Sequence, residues 1–169
     1  MSVFTHTLAL ADLDRGPVTL RLTATPEELP GIAARLGVPA IYALKTELKI
    51  HRKNGRVLVH GAFDATVEQV CVVSLDPFTA TLDGEIDEEF LLTDEPDSLE
   101  IDLDPDGIEA EPLAGDTLDI SDLVIQNVSL ALDPHPRAAG ADLSDLEYDE
   151  RQLGTPASPF AALAKMQRQ

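Results

Sequence analysis

Apolar and polar residues alternate on both sides of Asn54-Gly55, and this pattern predicts a β-hairpin. The dipeptide favours a type I′ turn because both residues tolerate positive φ, and a two-residue turn fixes which positions face each other. Turn chemistry and hydrophobic pattern agree on the register. The apolar face pairs Ile50 with Val59, Leu48 with Gly61, Thr46 with Phe63 and Leu44 with Ala65. The solvated face pairs Lys45 with Asp64, Glu47 with Ala62, Lys49 with His60 and His51 with Leu58.

The rest of the first half carries further element signals. Residues 3–10 and 18–24 are predicted as short strands. Thr25 and Glu28 form a capping box that opens a helix, Gly37 ends this helix, and Pro30 predicts a kink or a late start. The strand after the hairpin turn is interpreted as a long alternating segment over residues 61–78. Because so long a strand cannot stay flat, Gly61 is predicted as a bulge or a bend.

Acid and proline dominate the chain after a further predicted strand at 78–92. Residues 94–117 are interpreted as a partly ordered excursion. Its apolar positions are compatible with short edge strands at Leu99, Ile101, Leu103 and Ile108.

Asp119 is predicted to cap a helix that runs to about residue 132. Leu118 and Leu123 are spaced for a hydrophobic staple around this cap, and two prolines, Pro134 and Pro136, follow the helix. The β-branched residues Val124, Ile125 and Val128 leave a strand open as the alternative.

Together these elements predict an α+β fold: an antiparallel, meander-rich sheet with two or three short helices and an acidic, partly disordered C-terminal tail. Residues 1–137 are predicted to form one domain. Residues 138–169 are predicted to form an acidic linker and a short terminal helix with Phe160, Leu163 and Met166 on one side.

Composition places the chain among cytoplasmic proteins. Its 169 residues are 44% hydrophobic, which is enough for one core. The single cysteine excludes an internal disulfide and fits a reducing compartment. No apolar stretch approaches the roughly 18 to 20 residues that span a bilayer, and no signal peptide is recognisable, so no membrane partner is expected.

Charge is distributed unevenly along the chain. Residues 1–75 hold eight Lys/Arg and seven Asp/Glu, whereas residues 76–169 hold four and twenty-four, which accounts for the net charge of −19. Such a field repels phosphate backbones and attracts basic proteins. The second half therefore favours a basic protein partner over a nucleic acid.

Two sequence patterns suggest a calcium site and a Cys–His catalytic pair, and both are disfavoured. Asp102, Asp104 and Asp106 match the start of a calcium loop, but the position of its bidentate glutamate is Leu113, so a hydrated acidic loop is favoured. Alternation places Cys71 on the apolar side of its strand and His60 on the solvated side, so the two would not form a nucleophile and base. We expect no enzyme activity, no small-molecule substrate, no cofactor and no metal.

The candidate binding residues form the chain's single basic concentration, at the tip and outer face of the hairpin. A solvated hairpin end with edge-protecting lysines accounts for them slightly better than a patch that contacts RNA phosphates. No aromatic residues are interleaved to stack bases, which argues against sequence-specific reading of single strands. These residues are Lys45, Lys49, Arg52, Lys53 and Arg56.

Ordered motifs give the chain a resemblance to the YceD family, the large ribosomal RNA subunit accumulation proteins. The first block is Gly61 in mid-strand followed by Cys71-x-x-Ser74-Leu75-Asp76-Pro77. The second is Leu118-Asp119-Ile120 with a closing Leu130-Ala131-Leu132-x-Pro134. The ending at 158–164 is similar to that of alphaproteobacterial members, and the resemblance covers nearly the whole chain.

This resemblance implies a non-enzymatic factor that supports accumulation of 23S ribosomal RNA and large-subunit assembly. Two mechanisms are open: an acidic adaptor or escort for a basic ribosomal or RNA-processing protein, and an RNA-binding assembly factor that contacts large-subunit pre-rRNA through the basic hairpin. The resemblance implies that many relatives have a second cysteine at the position of Ser74 and that some have further cysteines at the positions of Arg137 and Ala138. Because structural zinc requires about four N or S ligands, any zinc site of those relatives is expected to be absent here.

Overall fold

The computed structural model describes residues 4–93 and 110–141. The chain divides into two units, residues 1–138 and 139–169, and the following description concerns the first. Its elements in chain order are β1 (Thr7–Ala9), a 3-10 helix (Leu10–Arg15), β2 (Val18–Thr23), α1 (Leu29–Leu36), β3 (Ala40–Lys53), β4 (Arg56–Val70), β5 (Pro77–Thr93), β6 (Glu111–Ala114), β7 (Thr117–Asp119) and α2 (Ile120–Ala131).

The α+β prediction is confirmed, because a mostly antiparallel five-stranded sheet is accompanied by a few short helices. Its strand order is β2-β3-β4-β5-β6, and β1 and β7 form a separate antiparallel pair. Strands β2 to β5 are an antiparallel meander, whereas β6 pairs with the end of β5 in parallel. In the described ranges, no helix combines the length and the apolar composition that a bilayer crossing requires.

The hairpin register is confirmed in full. Asn54 and Gly55 both have positive φ, at 52° and 75°, as a type I′ turn demands. Ile50 lies opposite Val59 and Thr46 opposite Phe63, and the polar pairs follow the same register. The apolar positions of the hairpin are buried, and the polar ones face outward.

Of the two alternatives predicted at Gly61, a bulge or a bend, the bulge is wrong. The β3–β4 register runs through Gly61 without a break, and its irregularity lies between Ile41 and Ala43. Gly61 is required by space: a Cβ there would lie 2.1 Å from the Glu47 carbonyl oxygen. Backbone of the neighbouring strand fills the volume that a side chain would need.

The long strand predicted over residues 61–78 is also wrong at its end. β4 stops at Val70, residues 72–74 form a turn, and β5 starts at Pro77. Leu75 in this connection has a φ of 62°, which lies outside the range of an extended strand. Hydrogen bonds within the turn replace the ladder that the alternating sequence suggested.

The two helices predicted within residues 1–137 are present. α1 starts late, at Leu29, and the Glu28 carboxylate accepts hydrogen bonds from the Thr25 N–H and hydroxyl at 2.8 Å each. Gly37 ends α1 with a φ of 69°. Asp119 caps α2 by accepting a hydrogen bond from the Asp122 N–H at 3.0 Å, and the strand alternative for this segment is wrong.

The N-terminal prediction was too long, and two strands were missed. Among the described residues of the segment at 3–10, only Thr7–Ala9 form a strand, and a 3-10 helix follows it. β6 and β7 occupy the end of the predicted excursion. The proposed edge strands at 99–108, the calcium-like loop and the C-terminal tail lie outside the described residues.

The core lies between one face of the sheet and the helices. α1 packs against β3, α2 packs against β4 and β5, and the two helices touch each other. The opposite face of the sheet, called the outer face here, carries the exposed polar positions of β2 to β5. This arrangement displays the charged residues of four strands on one surface.

Candidate functional site

The outer face has opposite charge at its two sides. β5 contributes a row of carboxylates at alternate positions, called the acidic column here: Asp83, Glu85, Asp87 and Glu89. β2 and β3 contribute Arg21, Lys45 and Lys49, together with Glu47, which is paired with Arg21. The registers align Lys45 with Asp64 and then Asp83 across three strands. Net positive charge therefore lies on the β2–β3 side and negative charge on the β5 side.

The five basic hairpin residues do not form one uniform patch. Arg52 is paired with Asp14, with 3.1 Å between Nη1 and Oδ1, and Arg56 is paired with Glu89. Lys45 and Lys49 lie on the outer face, whereas Lys53 lies beside the turn. Within the described part of the chain, none of these three lysines is within ion-pair distance of a carboxylate.

A histidine pair on the same face was not predicted. The rings of His51 and His60 stack with their centroids 5.9 Å apart. His60 Nδ1 lies 2.7 Å from Asp87 Oδ1, and His51 Nδ1 is buried without a hydrogen-bond partner among the described residues. The hairpin register places these histidines diagonally on one face, so their stacking could have been predicted from sequence. The contact with Asp87 could not, because the β4–β5 register depends on a turn that the sequence analysis missed.

The first family motif forms the β4–β5 turn. The Cys71 N–H donates to the Asp76 carbonyl and the Leu75 N–H donates to the Cys71 carbonyl, both at 2.9 Å. The Val72 N–H donates to the Pro136 carbonyl at 2.9 Å, and the Gln69 side-chain amide donates to the Asp133 carbonyl at 3.3 Å. This turn is thus fastened to the segment that follows α2.

Cys71 is buried within this arrangement, as the apolar reading of its position predicted. The Ser74 N–H donates to Sγ at 3.4 Å. Hydrogen bonds from the backbone N–H groups of Ser74 and Ala138 lower the pKa of the Cys71 thiol from 9.0 to about 7, since they favour the thiolate. His60 is exposed on the outer face, so the structure does not bring it to the thiol.

Cys71, Ser74 and Ala138 meet at this turn. Cysteines were expected at positions 71 and 74 in many relatives and at position 138 in some. Only one of them is a thiol here. In residues 4–93 and 110–141, no three His, Cys, Asp or Glu side chains are grouped to hold a metal ion.

The remaining motif residues divide into structural and exposed positions. Leu118 is buried and pairs with Leu8, and Asp119 caps α2. Leu75 is 74% exposed and Leu130 is 81% exposed. Pro77 begins β5, and Pro134 is exposed beyond α2. Packing explains the structural group, whereas nothing in the fold requires the two exposed leucines.

Comparison with known proteins identifies a family. The sequence model of a family described as large ribosomal RNA subunit accumulation protein YceD matches residues 59–167. No curated protein and no solved structure matches significantly. The match begins in β4 and includes the β4–β5 turn, the acidic column and α2.

Proposed function

The chain belongs to the YceD family of large ribosomal RNA subunit accumulation proteins, and from this membership we propose that it acts as a non-enzymatic, cytoplasmic adaptor for a basic ribosomal or RNA-processing protein. The family description supports a role in accumulation of the large-subunit ribosomal RNA. The adaptor holds its partner through carboxylates. It thereby supports 23S ribosomal RNA accumulation and large-subunit assembly.

The charge arrangement of the outer face carries this proposal. Two hairpin guanidinium groups, on Arg52 and Arg56, are already paired with carboxylates of the same chain. Asp83 and Glu85 are exposed and have no ion-pair partner in the described part of the chain. The second half of the sequence adds a strongly negative field that attracts cations and repels phosphate. A basic protein therefore meets a more favourable surface than an RNA backbone does.

An RNA-binding assembly factor is the second candidate. The observation that favours it is a set of three exposed lysines that form no ion pair with another described residue: Lys45, Lys49 and Lys53. If each contacted one phosphate, the salt slope on single-stranded RNA would be about −2. Three phosphate contacts give only weak binding. An RNA-binding mechanism would therefore need contacts beyond these lysines.

Affinity capture from native lysate, with and without nuclease, separates the two mechanisms. The wild-type chain is compared with a variant that carries Lys45→Ser, Lys49→Ser and Lys53→Ser. These substitutions alter exposed sites, so the free energy of unfolding should change by less than about 0.5 kcal/mol. The adaptor mechanism predicts basic partners that survive nuclease and are retained by the variant. Partners lost both with the RNA and with the lysines would contradict it.

A further inference from the structure

One side of the five-stranded sheet ends in a largely unpaired strand. β4 pairs with β5 from Val70–Pro77 to Arg56–Leu91, but β6 covers the other side of β5 only from Phe90 to Thr93. Among the described residues, no strand lies beside residues 77–89 on that side. A row of backbone N–H and C=O groups is therefore available for pairing.

Two hydrogen bonds determine which residues offer these groups. The Cys71 N–H donates to Asp76 and the Leu92 N–H donates to Gly55, at 2.9 and 3.0 Å. In an antiparallel ladder, alternate residues direct both backbone groups to the same neighbour. Even-numbered residues of β5 therefore bond β4. Odd-numbered residues direct their backbone groups to the free edge: Thr79, Thr81, Asp83, Glu85 and Asp87.

The same odd-numbered residues place their side chains on the exposed outer face. Ala80 and Leu82, which alternate with them, are half-buried on the helix-covered face and pack against the core. A strand added at this edge would thus meet carboxylates on one face and apolar side chains on the other. Cross-strand neighbours lie about 4.5 to 5.5 Å apart at Cβ, close enough for charge pairing.

We propose that the free edge of β5 binds an extended protein segment in which basic residues alternate with small or apolar ones. The inference rests on the proposed adaptor function and identifies the surface that receives the basic partner. Backbone hydrogen bonds add the segment as a further strand, which is β-augmentation. Lys or Arg at alternate positions then pairs with Asp83, Glu85 and Asp87.

Charge selects this occupant over two others that belong to the same chain. The segment at 94–109 holds eight Asp/Glu and no Lys or Arg, so pairing it with the edge would place like charges together. A second copy of β5 would bring two acidic columns side by side. Carboxylates along the edge oppose self-association, as edge charges do in general, while they attract a basic strand.

The opposite edge of the sheet provides an internal contrast. β2 exposes Thr19, Arg21 and Thr23 on the outer face, and Arg21 is paired with Glu47, with 2.9 Å between Nη2 and Oε1. No carboxylate lies on β2. A basic strand should therefore distinguish the β5 edge from the β2 edge.

The test uses the full chain and a seven-residue peptide of alternating Lys and Val with blocked ends. Two further peptides have the same charge but carry N-methyl groups, one on the Lys amides only and the other on the Val amides only. Because alternate residues direct their N–H groups to opposite edges of a strand, each peptide can no longer donate hydrogen bonds from one edge. One methylated peptide should lose affinity by about tenfold or more and the other should keep it. Equal effects of the two modifications would overturn β-augmentation.

Amide hydrogen exchange locates the binding. In the free protein the amides of Thr81, Asp83 and Glu85 should exchange fast and those of Leu82 and Gly84 slowly. Addition of the Lys-Val peptide should slow the first group and leave the amides of β2 unchanged. Slow exchange of the first group before peptide is added would show that the edge is already covered and would overturn the proposal.

Charge variants separate this inference from the adaptor function itself. Asp83→Asn with Glu85→Gln should weaken peptide binding between about twofold and thirtyfold at low salt, whereas Thr19→Ser on β2 should not. A second variant is neutralised in the C-terminal tail, at Asp142, Asp145, Glu147, Asp149 and Glu150. If the double variant still captures a nuclease-resistant basic partner and the tail variant does not, the edge proposal fails. The adaptor function stands in that case. If no nuclease-resistant partner is captured by the wild-type chain, the adaptor function fails.

Discussion

At two glycines of the sheet, neighbouring atoms occupy the space that a side chain would need. A Cβ at Gly61 would lie 2.1 Å from the Glu47 carbonyl oxygen and 2.9 Å from the Leu48 Cα. A Cβ at Gly84 would lie 2.7 Å from the end of the Phe63 ring. Backbone atoms of a paired strand cannot move without breaking the ladder, whereas a ring can shift within the core. The two sites therefore differ in their tolerance of a methyl group.

Gly61→Ala should destabilise the protein more than Gly84→Ala. Overpacking costs about 1 to 3 kcal/mol, so we expect Gly84→Ala near the lower end and Gly61→Ala at or above the upper end. Urea unfolding of both variants measures the difference. Similar losses at the two sites would mean that β3 and β4 can separate locally to accept a side chain.

Cys71 combines burial with a lowered thiol pKa. Hydrogen bonds from the Ser74 and Ala138 N–H groups stabilise its thiolate, and they are available because the β4–β5 turn is held to the segment after α2. The unfolded chain lacks this arrangement. Folding is thus coupled to deprotonation of this single thiol.

The linkage gives a pH dependence of defined sign. Because the folded pKa is depressed, the stabilisation is complete above the unfolded pKa of 9.0 and is lost as pH falls through about 7. The free energy of unfolding should rise between pH 7 and pH 9, and Cys71→Ala should remove this rise. Thiolate absorbance reports the titration directly, since the chain has one cysteine. A midpoint near 9 would contradict the hydrogen-bonding account. Because the Ser74 hydroxyl also donates a hydrogen bond that favours the thiolate, Ser74→Ala should move the midpoint upward.

At the scale of elements, the hairpin could be predicted and the pairings that enclose it could not. The Asn54-Gly55 turn and the alternation beside it are local, so the register of β3 and β4 follows from sequence. β6 and β7 find their partners through tertiary contact, and their short sequences carry no period that reveals this. In the candidate site, the basic hairpin residues were predicted, but Asp14 and Glu89 reach them from distant elements and could not be assigned.

The cap of α2 is a local signal with a measurable contribution. Asp119 accepts the Asp122 N–H, one of the unpaired donors of the first turn. Asp119→Ala should lower the free energy of unfolding by about 1 kcal/mol, as loss of an N-cap usually does. Asp116→Ala, an exposed acidic site in the preceding turn, is the matched control for charge. Equal effects of the two variants would show that charge, and not capping, explains the loss.

At the scale of the whole molecule, the charge asymmetry read along the sequence is also spatial. Basic side chains gather on β2 and β3, and the carboxylates of β5 line the other side of the outer face. Composition indicated the sign of the field but not that one surface carries both signs. Only the sheet order places these strands in sequence from positive to negative.

The pairing of β1 with β7 determines the order in which the chain can assemble during synthesis. Thr7 pairs with Asp119, more than one hundred residues later, whereas β2 to β5 pair with strands close to them in sequence. At roughly 5 to 20 residues per second, the ribosome finishes the meander well before β7 emerges. During that interval Leu8 lacks its partner Leu118, and the His6 carbonyl lacks the N–H groups at the start of α2. Residues that are synthesised before the meander are therefore among the last to reach their final contacts.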